Sequence, residues 1–278
     1  YLFSIWLFLF AAGQLAARLF PNPSASAFSI LLSAACCALP VAGTALVLMD
    51  PYLTARSLST PLSLLAVTAT LNRRWPCTLL LIALTLAVHP LMGSCTLAFV
   101  LLLALIAAGR IRTAIAFCAI AFAIAGTTFA FAHRTPVDPA YRQAVCLAPR
   151  SFLFLARWHW YEVLGLLLPL ALFALALHRL GPRPPTMRGM SAALCLASIL
   201  LGTTALLVAA CFVPAAGPYL LVPIQVLRSF HLIYCTGVIL CGALLAALTP
   251  RARWIASTLL VLHFAAMFCV ERTEWPGT

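Results

Sequence analysis

Long runs of apolar residues with almost no ionisable side chain inside them constrain this chain more than any other feature. A run of about 20 such residues is long enough to cross the hydrocarbon core of a bilayer as a helix. The composition agrees. Of 278 residues, 64% are apolar and 8% are charged, against about 45–50% and about 25% in a soluble domain. The runs are continuous and rich in Leu and Ala. A transmembrane barrel instead needs short alternating strands with polar lumen residues. Within a bilayer only helices and closed barrels satisfy their own backbone. The expected fold class is therefore all-α: a polytopic integral membrane helical bundle forming one domain over 1–278.

Reading apolar runs between polar breaks predicts about ten transmembrane segments. They lie near 1–17, 27–49, 56–72, 75–88, 94–109, 113–132, 162–178, 190–213, 229–248 and 253–270. The third is polar at its start and carries Pro61, and the fourth has 14 residues. Both are expected to be short or tilted. The chain starts at Tyr1, already inside an apolar run. It reads as a fragment lacking an N-terminal span and a following outer-side region.

The charges sort by side. Every one of the 17 basic residues is Arg. Alternating the segments gives one loop set with Arg18, Arg73, Arg74, Arg110, Arg112, Arg179, Arg183, Arg188, Arg251 and Arg253, and no acid. The other set holds the remaining seven Arg and all five acids, Asp50, Asp138, Glu162, Glu271 and Glu274. The excess of Arg in short connections marks the first set as cytoplasmic. The dispersion of Arg between apolar runs argues against nucleic acid as a partner, despite the net charge of +12. Of the 11 cysteines most lie inside apolar runs, and there is no CxxC pair, so they read as small core residues rather than a zinc framework.

Four stretches on the outer side carry chemistry. Asp50, Tyr52 and Arg56 lie together after the second segment. Asp50 can be a base, a metal ligand or the partner of Arg56, and Tyr52 suits the interfacial aromatic belt. His89 stands before Pro90, where it can be a base or ligand, or simply end a helix by bonding its last carbonyls. Arg157, Trp158, Trp160, Tyr161 and Glu162 combine headgroup-level aromatics with a charge on each side. Gln225, Arg228 and His231 enter the ninth segment, and the last two share a helix face. An outward Arg needs a reason: an anionic headgroup or diphosphate, or a salt bridge to an acid. The rim thus assigns Asp50, His89 and Glu162 to catalysis. Arg56, Arg157, Arg228 and His231 are the candidates for holding a lipid phosphate, and Tyr52, Trp158, Trp160, Tyr161 and Gln225 for lining a substrate, with salt bridges to the acids and belt anchoring as the alternatives.

The stretches Leu39 to Ala45, Asp50 to Thr60, Val88 to Met92, Trp158 to Gly165 and Gln225 to His231 resemble a family of bacterial multi-spanning membrane proteins. That family looks like the GT-C superfamily of membrane glycosyltransferases. The resemblance implies a polyprenyl-phosphate-linked donor, a site on the outer face of a bacterial inner membrane, and room for a divalent metal. The superfamily's usual acid in the first outer loop has no counterpart in this chain. A transporter or flippase of an anionic lipid or solute, and a non-catalytic assembly protein, are the alternative readings. The charges sit at the outer boundary rather than in two related broken-helix halves, which favours chemistry at the surface over passage.

Overall fold

A computed structural model of the chain describes residues 1–20, 22–132, 138–144, 151–179, 185–214, 217, 219–246, 248, 250–251, 254–255, 257–258 and 262. Among these residues the fold is helical and contains no strand, only one isolated antiparallel bridge between Pro40 and Val47. In chain order the helices are α1 (Leu2–Leu19), α2 (Pro23–Ala35), α3 (Ala55–Leu71), α4 (Trp75–Val88) and α5 (Pro90–Ala107). They continue as α6 (Ile111–Ala132), the short α7 (Pro139–Arg142), α8 (Trp160–Arg179), α9 (Pro185–Phe212) and α10 (Ser229–Ala246).

Among the described residues six stretches are long and apolar enough to cross a membrane: α1, α5, α6, α8, α9 and the segment 222–246 that ends in α10. The chain is an all-α membrane bundle. The two short apolar helices, α2 and α4, have 13 and 14 residues. At 1.5 Å per residue they reach about 20 Å, less than the roughly 30 Å hydrocarbon core. Helix α3 has 17 residues, many of them hydroxylic. The tenth expected segment, 253–270, lies largely outside the described residues.

The second expected segment is overturned. Helix α2 stops at Ala35, and the chain then folds back on itself instead of crossing through 49. Val41 N–H donates to Leu46 O at 2.8 Å, Leu48 N–H to Leu39 O at 3.1 Å and Met49 N–H to Cys37 O at 2.8 Å. Ala42 and Ala45 take the left-handed conformation, with φ of 47° and 57°. The breakers were in the sequence. Pro40 cannot donate a helical hydrogen bond, and Gly43 lies in the turn with no side chain. A Cβ on Gly43 would fall 2.7 Å from Trp158 Cδ2. Irregular backbone is tolerated at membrane depth only where protein covers it. Val41, Thr44, Leu46, Leu48 and Met49 are accordingly buried.

This loop is held on the most enclosed span. Helix α10 packs tightly on α2: Ser29 Oγ donates to Ile239 O at 2.7 Å, and a Cβ on Gly242 would sit 2.5 Å from Ser29 Cα. Close backbone approach at small residues is the usual means of packing helices where lipid removes the hydrophobic incentive. At the far end Arg18 Nη2 donates to Leu71 O at 3.4 Å. The C-termini of α1 and α3 therefore meet at one end of the bundle, where Arg73 and Arg74 also follow α3.

Candidate functional site

The folded-back loop delivers Asp50 to the start of α3. Thr54 is the N-cap of that helix. Ser57 N–H donates to Thr54 Oγ1 at 3.3 Å, and Thr54 N–H donates to Ser57 Oγ at 3.1 Å. This reciprocal box fixes the first turn and aims Arg56 back at the loop. Arg56 Nη2 donates to Asp50 Oδ1 at 2.6 Å, and Thr54 Oγ1 donates to Oδ2. Asp50 is 4% exposed and Arg56 is 19% exposed. Both carboxylate oxygens are engaged, while Arg56 Nη1 is buried with no hydrogen-bond partner.

A second guanidinium, that of Arg228, lies near enough for its charge to act on this group. Two 3-10 turns, Val222–Ile224 and Val226–Arg228, lead into α10. Gln225 joins them in the left-handed conformation, with φ 45° and ψ 54°. Its carbonyl accepts from Arg228 N–H at 2.8 Å. Arg228 Nε is buried and unpartnered. The charges of Arg56 and Arg228 act on each other and on His89, and so does that of Asp50.

His89 joins α4 to α5 and is the N-cap of the latter. Met92 N–H donates to its Nδ1 at 3.4 Å. A neutral imidazole that accepts at Nδ1 carries its proton on Nε2. Burial first, then the Arg228 and Arg56 charges, push the pKa of His89 below the ordinary 6.5. It is neutral at pH 7 and offers an N–H. The structure thus favours a hydrogen-bond donor over a base at this position.

His231 does not fit the phosphate role expected of it. It is 1% exposed, and its Nε2–H donates to Leu48 O at 3.1 Å. A carbonyl only accepts, so the proton sits on Nε2 and the lone pair on Nδ1, which has no partner. His231 ties α10 to the loop two residues before Asp50. It positions the site rather than contacting a headgroup.

The Trp158 region forms a separate group. Glu162 Oε2 accepts from His159 N–H at 2.7 Å, at the start of α8. A Cβ on Gly43 would lie 3.0 Å from its Oε1. Trp158 is buried against the same turn, and Tyr234 Oη donates to Gly165 O at 2.6 Å. These residues support the loop from its other side. Arg157 is exposed and stacks its Cζ 5.0 Å from the Phe154 ring centroid. Trp160, Tyr161 and Tyr52 are also exposed, as belt residues are. The expected rim is therefore two groups. Asp50, Arg56, His89 and Arg228 converge with His231 behind them, whereas Glu162 and Trp158 brace the loop.

Two spaces adjoin the group. A cavity of about 20 Å³ is lined by Thr44, Gln225 and Arg228 among others, room for about one water molecule. A larger apolar cleft of about 330 Å³ opens between α5, α6 and α9, with Cys95 and Ser229 in its wall. Neither Thr54 nor Cys95 was expected from the sequence. The Thr54-x-x-Ser57 spacing was a legible cap signal; Cys95, inside an apolar run, gave none.

Among the described residues no group of three or more His, Cys, Asp or Glu is placed to hold a metal ion. The charged groups described beside Asp50 are guanidiniums rather than further ligands, so the site does not fit the divalent metal that the resemblance allowed for. No family model, curated protein or solved structure matches this chain.

Proposed function

We propose that the chain is a membrane-embedded glycosyltransferase of the GT-C type, using a polyprenyl-phosphate-linked sugar at the outer face of a bacterial inner membrane. One observation carries this reading. Arg56 pairs with Asp50, Arg228 has no carboxylate partner among the described residues, and each guanidinium keeps a buried N–H without a partner. An uncompensated charge at membrane depth is costly, and a phosphate is the group that an Arg fork suits best. The Arg content of the opposite loops, free of acids, supports the outer placement.

In this reading Arg56 and Arg228 bind the lipid phosphate and His89 Nε2–H donates to one of its oxygens. The bond between the sugar anomeric carbon and the phosphate oxygen breaks, and the electron pair leaves with the phosphate. The guanidiniums stabilise that developing charge. The acceptor hydroxyl oxygen forms the new bond, and its proton passes to Asp50. A transport reading draws less support. The buried hydroxyls Ser63, Thr70, Thr78 and Thr96 donate to carbonyls of their own helices, which leaves few groups for a permeating anion.

The test is transfer from a polyprenyl-phosphate sugar by the full chain in nanodiscs, with Arg228→Ala and Arg56→Ala alongside. Loss of transfer in both variants is expected. A wild-type chain that binds no polyprenyl phosphate would contradict the reading.

A further inference from the structure

Among the described residues no side chain occupies the cleft that adjoins the Arg228 cavity. Its walls combine branched apolar residues such as Leu91, Leu201 and Val208 with small ones, including Cys95 on α5, Ala121 on α6 and Thr204 on α9. Its neighbours Ile120 and Ile124 on α6 are exposed, so the cleft gives onto the bilayer side of that helix. At about 330 Å³ it falls at the lower end of small-ligand pockets, roughly 300–1,000 Å³. That is room for one hydrocarbon chain rather than two.

The cleft adjoins the small cavity that Arg228 lines. Ser229 and Val226 line the cleft, and Arg228 lies between them in sequence. Leu221 and Val226 line both the cleft and the small cavity containing Arg228. The Arg228 charge reaches the Cys95 thiol in the cleft wall. A buried guanidinium N–H without a partner thus stands beside the apolar cleft, across the shared Leu221 and Val226. The two needs, hydrocarbon in the cleft and an anion beside it, belong to one kind of molecule.

We infer that the cleft between α5, α6 and α9 holds the hydrocarbon chain of a single-chain lipid phosphate, entering sideways from the bilayer with its head at Arg228. This rests on the reading of Arg56 and Arg228 as a phosphate site and adds where the lipid lies. Ala121 and Thr204 then set the chain thickness that the site admits. Arg228 sets the head.

The probes are dodecyl phosphate and inorganic phosphate, titrated onto the full chain in nanodiscs of zwitterionic lipid. Ala121→Trp and Thr204→Trp fill the cleft from opposite walls. Each is expected to weaken dodecyl phosphate about tenfold, the loss of roughly two buried methylene contacts, with inorganic phosphate unchanged. Unchanged dodecyl phosphate affinity in both variants would overturn the inference. If Arg228→Ala changes neither ligand, the phosphate reading itself fails. The unsubstituted chain supplies a second measurement, the rate at which a bilayer-soluble maleimide labels Cys95, read by peptide mass spectrometry. Dodecyl phosphate should slow that labelling and inorganic phosphate should not; equal rates with and without dodecyl phosphate would also count against the cleft.

Discussion

Arg56 Nη2 donates to Asp50 Oδ1 at 2.6 Å, across six residues that turn from the buried loop into α3. The pair joins the least regular part of the chain to the start of a capped helix. It also leaves the site with more positive than negative charge, because the charge of Arg228 acts on the same pair and Arg228 has no carboxylate of its own among its described partners.

Breaking that pair exposes its worth. Asp50→Ala leaves the Arg56 guanidinium without its carboxylate and under the repulsion of Arg228, and a stranded buried charge costs about 3–5 kcal/mol. Asp50→Ala/Arg56→Ala should recover much of the loss. A thermal-unfolding cycle in detergent reads the coupling. Additive single effects would mean that the two side chains do not support each other.

Acidity acts through His89. Its folded pKa lies below 6.5 because of burial and the two guanidiniums. The unfolded chain therefore takes up a proton that the folded chain resists, and stability falls as pH drops below about 6.5. Above that value the contribution is fully present. His89→Asn keeps an acceptor for the α5 N-cap and should lessen the pH dependence of the melting temperature between 5 and 7. The same slope in both proteins would place the titrating group elsewhere.

His231 acts on Asp50 through Leu48 O. His231→Gln retains an N–H donor, whereas His231→Ala leaves a buried carbonyl unpaired at about 1–3 kcal/mol. Phosphate affinity should fall in the alanine variant and return partly in the glutamine variant. Equal affinity in wild type and His231→Ala would show that the tether does not set the site.

Sidedness is open to a reporter. An alkaline-phosphatase fusion at 140 should be active outside, and one at 184 should be silent. The reverse pattern would put the Arg56 and Arg228 group on the cytoplasmic face.

The sequence was informative where one dominant force decided the outcome. The apolar runs of α1, α5, α6, α8, α9 and α10 are legible because hydrocarbon admits little else. It was misleading at 27–49, where counting apolar residues overrode Pro40 and Gly43. A loop covered by protein can be as apolar as a span. Asp50 and Arg56 were readable as neighbours from the start, as was the oddity of an Arg228 that the charge rule would place outside. Their convergence with His89 depends on how α3, α5 and α10 pack, which local pattern does not encode. His231 shows the same limit. Its three-residue spacing from Arg228 is that of a shared helix face, yet burial against Leu48 gives it a different task.

Phosphate binding tests the central claim most directly: Arg56 and Arg228 together form an anion site at the end of the bundle. Inorganic phosphate titrated calorimetrically onto the full chain at low salt should bind the wild type, weaken in Arg228→Lys, which loses the planar fork, and vanish in Arg56→Ala/Arg228→Ala. Undiminished binding in the double variant would contradict the account.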